Sequence, residues 1–162
     1  METVLIPLKE ANRRFVSADH MLFMTYPLLK DTKLLILVAE NLHHASILAL
    51  DALLKYEIMF KRVNSIPVSF NQKMDILKRE VAGRYNIQRS NIVNIEELNK
   101  LIEARRNSPM EFCKRDKYVI CSDDYKTNFL TLDKLKNYLN ESKVFINRVN
   151  TIIENARRFS TI

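Results

Sequence analysis

The feature that most restricts this 162-residue chain is that it has one glycine, Gly83. Ordinary usage of about 7 % would place roughly eleven glycines in a chain this long. A dinucleotide fingerprint, a phosphate-cradling loop and a set of tight hairpin turns each need several residues that accept positive φ, so one glycine cannot supply them. Long helices joined by few turns satisfy the count, and the chain is long enough for one domain with its own core.

Hydrophobic periodicity supports that reading. Pro7 suits a first helical turn, and Leu8, Ala11, Phe15, Ala18, Leu22 and Tyr26 follow at spacings of three and four, predicting a helix that stops near Pro27. Asp31 or Thr32 caps a second helix running to about Arg62, and its middle, from Leu34 to Phe60, is apolar on more than one face. Such a helix needs cover from several neighbours or from a second subunit. Ser69 with Gln72 reads as a capping box for a third helix to about Tyr85, and Asn94 with Glu97 as a box for a fourth that ends before Pro109. Periodicity lapses between Glu111 and Asn128, which reads as a charged loop with Tyr118-Val119-Ile120 as its one extended piece. Thr131 caps a last long helix to about Phe159. The expected fold is a single all-α domain over residues 1–162, an up-and-down bundle of four to five helices with two long ones.

The longest strictly apolar run, Leu34 to Ala39, is far shorter than a membrane span, and the first residues lack a secretory pattern, which points to a cytoplasmic protein. Cys113 and Cys121 match neither a zinc spacing nor a Cys-x-x-Cys motif. The net charge of +7 is concentrated toward the C-terminus: residues 1–70 carry eight basic and seven acidic side chains, residues 71–162 eighteen and twelve. A surplus of this kind attracts polyanions through phosphate contacts and counterion release, although solvated helix faces are commonly basic as well.

Three histidines exist: His20, His43 and His44. Glu40 and His43 have the Glu-x-x-His spacing used by carboxylate-bridged di-metal bundles, but those sites need a second such pair and the chain has none. Only a homodimer could supply the other half; a core or interface histidine hydrogen-bonded to Glu40 is the simpler expectation, and no motif implies a metal or cofactor.

The segment Arg105-Arg106-Asn107-Ser108-Pro109-Met110-Glu111, after the small-residue and leucine-rich helix around Ala45 to Tyr56, resembles the signature of the HEPN superfamily of all-helical proteins. That signature is an arginine, a polar residue, and a histidine four to six positions after the arginine. Arg106-Asn107 matches its first half; Glu111 stands where histidine is expected, and no histidine follows Arg106. The resemblance implies a homodimer with a cleft in which the arginine holds an RNA phosphate and the histidine moves protons without a metal. On that basis Arg106, Asn107 and Glu111 are the candidate catalytic residues, and Arg105, Arg106, Lys114, Arg115 and Lys117 the candidate contacts to RNA or nucleotide. Glu111 is a poor substitute for histidine, since an ordinary carboxylate is ionised at neutral pH and repels a phosphate. Its alternative role is a salt bridge to Arg105, Arg106 or Arg115. The expected function is therefore a non-enzymatic or degenerate binding module. Its alternatives are a metal-independent ribonuclease and a helical subunit that serves a protein partner, such as a nucleotidyltransferase.

Overall fold

The computed structural model describes residues 1–108, 110–114, 117–121 and 126–159. Among them the chain is mostly helical, with one small sheet in place of the expected charged loop. Helix α1 (Glu2–His20) passes through a π-type segment (Met21–Thr25) into a last turn (Tyr26–Leu29). Pro27 does not stop it. Proline cannot donate to the carbonyl four residues back and its ring crowds that carbonyl, and the wider turn just ahead of it relieves the conflict. The helix ends at Lys30, whose backbone is left-handed (φ 49°).

Helix α2 (Lys33–Met59) is the spine. Thr32 is its N-cap residue by backbone and makes no side-chain cap bond, while Asp31, the other cap expected, accepts the Lys33 N–H on its Oδ1 at 3.0 Å. By length and apolar composition α2 could cross a membrane, yet 56 % of its most apolar window is buried inside the bundle. Its apolar surplus is taken up by α1, α4 and α5, which supply within one chain the cover expected from several neighbours or a second subunit.

Helix α3 also contains a π-type segment: Phe70–Ile76, Leu77–Val81 and Ala82–Tyr85. Ser69 is its N-cap residue by backbone, but the side-chain bond of the expected capping box is absent. Helix α4 (Arg89–Arg106) starts a turn and a half before the predicted cap at Asn94. Asn94 is instead buried within the helix, where its Nδ2 donates to Ser142 Oγ at 3.0 Å on α5. It was drawn into the helix because an amide facing a polar partner across a helix interface is satisfied there as well as at a cap.

Three strands follow, β1 (Met110–Lys114), β2 (Lys117–Cys121) and β3 (Thr127–Thr131), paired antiparallel in sequence order. Tyr118, Val119 and Ile120 do form an extended piece, and it is the centre of this meander. Helix α5 (Leu132–Phe159) closes the chain, its start capped as expected by Thr131, whose Oγ1 accepts the Lys134 N–H at 3.3 Å.

Two apolar clusters fill the interior. One gathers Leu53, Met74, Leu77, Ile95, Phe145 and Val149 around the C-terminal half of α2. The other packs Leu35, Leu42 and Leu98 against Tyr118, Ile120 and Leu130 of the sheet and Leu135 of α5. The second cluster fixes the sheet at the end of α4, next to the arginines of the motif.

Gly83 lies inside α3 with no atom within 4 Å of where a Cβ would stand, and its φ is negative. The three left-handed positions belong to Lys30, Lys61 and Asn86, so among the described residues every such turn is made without glycine.

Candidate functional site

A cleft of about 330 Å³ is lined by Glu40, His43, His44, Ile102, Arg105, Arg106 and Glu111. Three elements build it. Residues three and four apart share a helix face, so α2 presents Glu40, His43 and His44 together. The last turn of α4 contributes Ile102, Arg105 and Arg106. Strand β1 contributes Glu111, and the register explains how: Glu111 is the cross-strand partner of Ile120, and opposed residues share a sheet face. Ile120 is buried against the helices together with Tyr118, two positions away on the same face.

The two arginines are used differently. Arg105 Nη1 bonds Glu40, and Arg105 Nε lies 3.2 Å from Glu111 Oε1, at ion-pair distance though without hydrogen-bond alignment. Burial works against the charge of Arg105, but Glu40, Glu111 and Tyr118 outweigh it and raise its pKa. Tyr118 donates its hydroxyl to Glu111, and burial together with that carboxylate pushes the phenol up to about 12. The result is a chain, Glu40 to Arg105 to Glu111 to Tyr118, in which both carboxylates of the cleft are already engaged. Arg106, by contrast, is exposed and makes no ion pair or side-chain hydrogen bond among the described residues.

His43 is 8 % exposed. Its Nε2 lies 3.0 Å from Asn99 Oδ1, an amide oxygen that can only accept, so Nε2 carries the proton and Nδ1 is left as a lone pair. That Nδ1 is buried without a partner. Burial lowers the pKa of His43 first, with the nearby His44 and Arg106 adding to the effect, so the ring is neutral at pH 7. The His44 ring stands 5.8 Å from it, and His44 is exposed. The expected bond between His43 and Glu40 does not form, because Arg105 takes the Glu40 carboxylate and Asn99 of α4 takes the imidazole.

Of the residues expected from sequence, the cleft brings together Arg105, Arg106 and Glu111. Asn107 is the C-cap of α4 and lies outside the lining. Lys114 and Lys117 are cross-strand partners at the far end of the β1–β2 pair, three residues or about 10 Å along the strand from Glu111, and alternation turns them to the sheet face away from the helices. Lys117 sits 5.7 Å over the Phe129 ring there. Arg115 lies outside the described residues. His43 and His44 lie more than sixty positions from Arg106 along the chain, so no local spacing joins them to it, and only the Glu40–His43 spacing singles out one of the two. Among the described residues no group of three or more metal-capable side chains (histidine, cysteine, aspartate or glutamate) converges, and both cysteines are free thiols.

Comparison with family models, characterised proteins and solved structures found no match.

Proposed function

We propose that the chain is a HEPN-like helical module that binds RNA or a nucleotide by its phosphate, with Arg106 as the charged contact and His43 and His44 beside it. One observation carries this reading: an unpaired guanidinium shares a cleft with two imidazoles, while the two carboxylates that would repel a phosphate are held by Arg105 and Tyr118. The histidine missing from the motif after Arg106 has spatial counterparts on α2. Binding of this type is salt-sensitive, because each phosphate neutralised releases counterions. RNA binding at low and at moderate salt tests it. Replacing Arg105 and Arg106 together with alanine abolishes most of the affinity on this reading, and an absence of binding, or binding that ignores the double substitution, removes it.

A metal-independent ribonuclease is the second reading, favoured by the neutral His43 with a free lone pair in the same cleft as Arg106. On this reading His43 takes the role of base in preference to Glu111, whose carboxylate is engaged by Arg105 and Tyr118. RNA cut in the presence of a chelator, and left intact by Arg106→Ala, supports it; RNA that survives prolonged incubation with the wild-type chain overturns it.

The homodimer is a separate proposal, supported by the exposed apolar side chains Phe23, Met24, Leu28 and Leu29 at the end of α1. Sedimentation over a concentration series checks it.

A further inference from the structure

A second polar cleft lies at the α4–α5 interface, away from the arginines. Its volume is about 170 Å³ and it is lined by Ser90, Val93, Asn94 and Glu97 of α4 and by Asn137 and Glu141 of α5. The spacings Ser90, Asn94, Glu97 and Asn137, Glu141 are three and four, so two facing helical stripes supply every polar group.

What distinguishes this cleft is an excess of oxygen acceptors. Asn94 is 4 % exposed, and its Nδ2 is turned inward to Ser142 Oγ at 3.0 Å and to the Tyr138 carbonyl at 3.4 Å. A carbonyl only accepts, so this arrangement fixes the amide with its Oδ1 on the cleft side. That Oδ1 is buried without any partner. A buried acceptor left unpaired is costly and calls for a donor or a cation. Glu97 and Glu141 line the same cleft, and neither forms an ion pair with a described residue, in a chain whose net charge is +7; the Tyr138 hydroxyl donates to Glu97, which orients that carboxylate without neutralising it. Glu141 Oε2 accepts from Asn91 Nδ2 at 2.7 Å, which orients the carboxylate but does not neutralise it. Two carboxylates without an ion-pair partner among the described residues, an orphaned amide oxygen, a hydroxyl and a second amide together form an oxygen-only donor set, with solvent on the open side. Hard divalent cations take such ligands and complete their shell with water, whereas zinc and copper prefer the nitrogen and sulfur donors this cleft lacks.

We infer that the α4–α5 cleft binds a hard divalent cation, Mg²⁺ or Ca²⁺, through Asn94 Oδ1, Glu97 and Glu141. The site is independent of the arginine cleft. A bound cation would clamp α4 to α5 at their most polar contact, so its effect is on the rigidity of the bundle that carries the motif.

Terbium, which occupies calcium sites, provides the direct test, because the chain has no tryptophan and Tyr138 of α5 lies next to the cleft as a sensitiser. The full-length chain, stripped of metal, is titrated with Tb³⁺ under tyrosine excitation and then with Mg²⁺, Ca²⁺ and spermidine as competitors. The expected result is sensitised emission displaced by Mg²⁺ or Ca²⁺, with affinity about tenfold or more weaker in the Glu97→Gln/Glu141→Gln variant. Asn94→Leu should weaken it as well. If that variant fails to fold, the two exposed-side carboxylates still decide the matter. No sensitised emission, emission unchanged in the double variant, or displacement by spermidine but by neither metal overturns the inference.

Discussion

The Nε of Arg105 lies 3.2 Å from Oε1 of Glu111, and this contact ties the end of α4 to the first strand of the sheet. Glu111, which stands where the motif's histidine is expected, thereby neutralises one arginine and leaves its neighbour, Arg106, unpaired. Replacing Glu111 with glutamine leaves Arg105 paired with Glu40 alone and removes a carboxylate from the cleft. RNA affinity at low salt should rise by roughly two- to fivefold, while stability falls by no more than about 1 kcal/mol, since both side chains are about one-third exposed. Parallel binding and urea-unfolding measurements check both.

The buried imidazole sets a pH dependence. His43 has a folded-state pKa below that of the unfolded chain because burial disfavours its charge. Its stabilising contribution is complete above the unfolded pKa of about 6.5 and is lost as pH falls from there toward the folded pKa. The urea midpoint should drop over that acid range, and the drop should be smaller in His43→Phe, which has nothing to protonate.

Glu57 is fully buried on α2 and is held by Arg62 and Arg84 and by the Tyr85 hydroxyl, which donates to its Oε1. This cluster joins the α2 C-terminus to the end of α3. Glu57→Ala leaves a cavity and releases the phenol, whereas the two arginines, about 40 % exposed, can turn to water. The expected loss is about 2 kcal/mol, below that for a pair buried on both sides. Chemical denaturation measures it.

Gly83 spends its conformational freedom on nothing, having negative φ inside a helix with open space where a Cβ would go. Gly83→Ala should therefore stabilise the chain by about 0.5–1 kcal/mol, through the lower entropy of the unfolded state. A thermal-unfolding midpoint that falls would contradict this.

The long helices were legible because their burial follows a simple period: α2 and α5 lie within three residues of their expected ends, and Thr131 caps α5 as predicted. The sheet was not legible beyond Tyr118-Val119-Ile120, since three five-residue strands carry too few side chains to establish alternation, and Glu111 comes to the helix-side face through its pairing with Ile120, a register that no local spacing encodes. Asn94 resembled a cap because the same amide chemistry serves a helix start and a buried interface. The cleft was half legible. Arg105, Arg106 and Glu111 are neighbours along the chain, whereas His43 and His44 reach them only through the packing of α2 on α4, which no local spacing encodes.

The most direct test of the arginine cleft compares two single substitutions across a salt series, with binding of a short single-stranded RNA read by fluorescence anisotropy. Arg106→Ala should weaken binding and reduce the slope of log affinity against log salt by about 0.7, the share of one phosphate contact on a single strand, whereas Arg105→Ala should leave the slope nearly unchanged. An unchanged slope in Arg106→Ala, or a slope reduced as much in Arg105→Ala as in Arg106→Ala, would contradict the assignment of Arg106 as the phosphate contact.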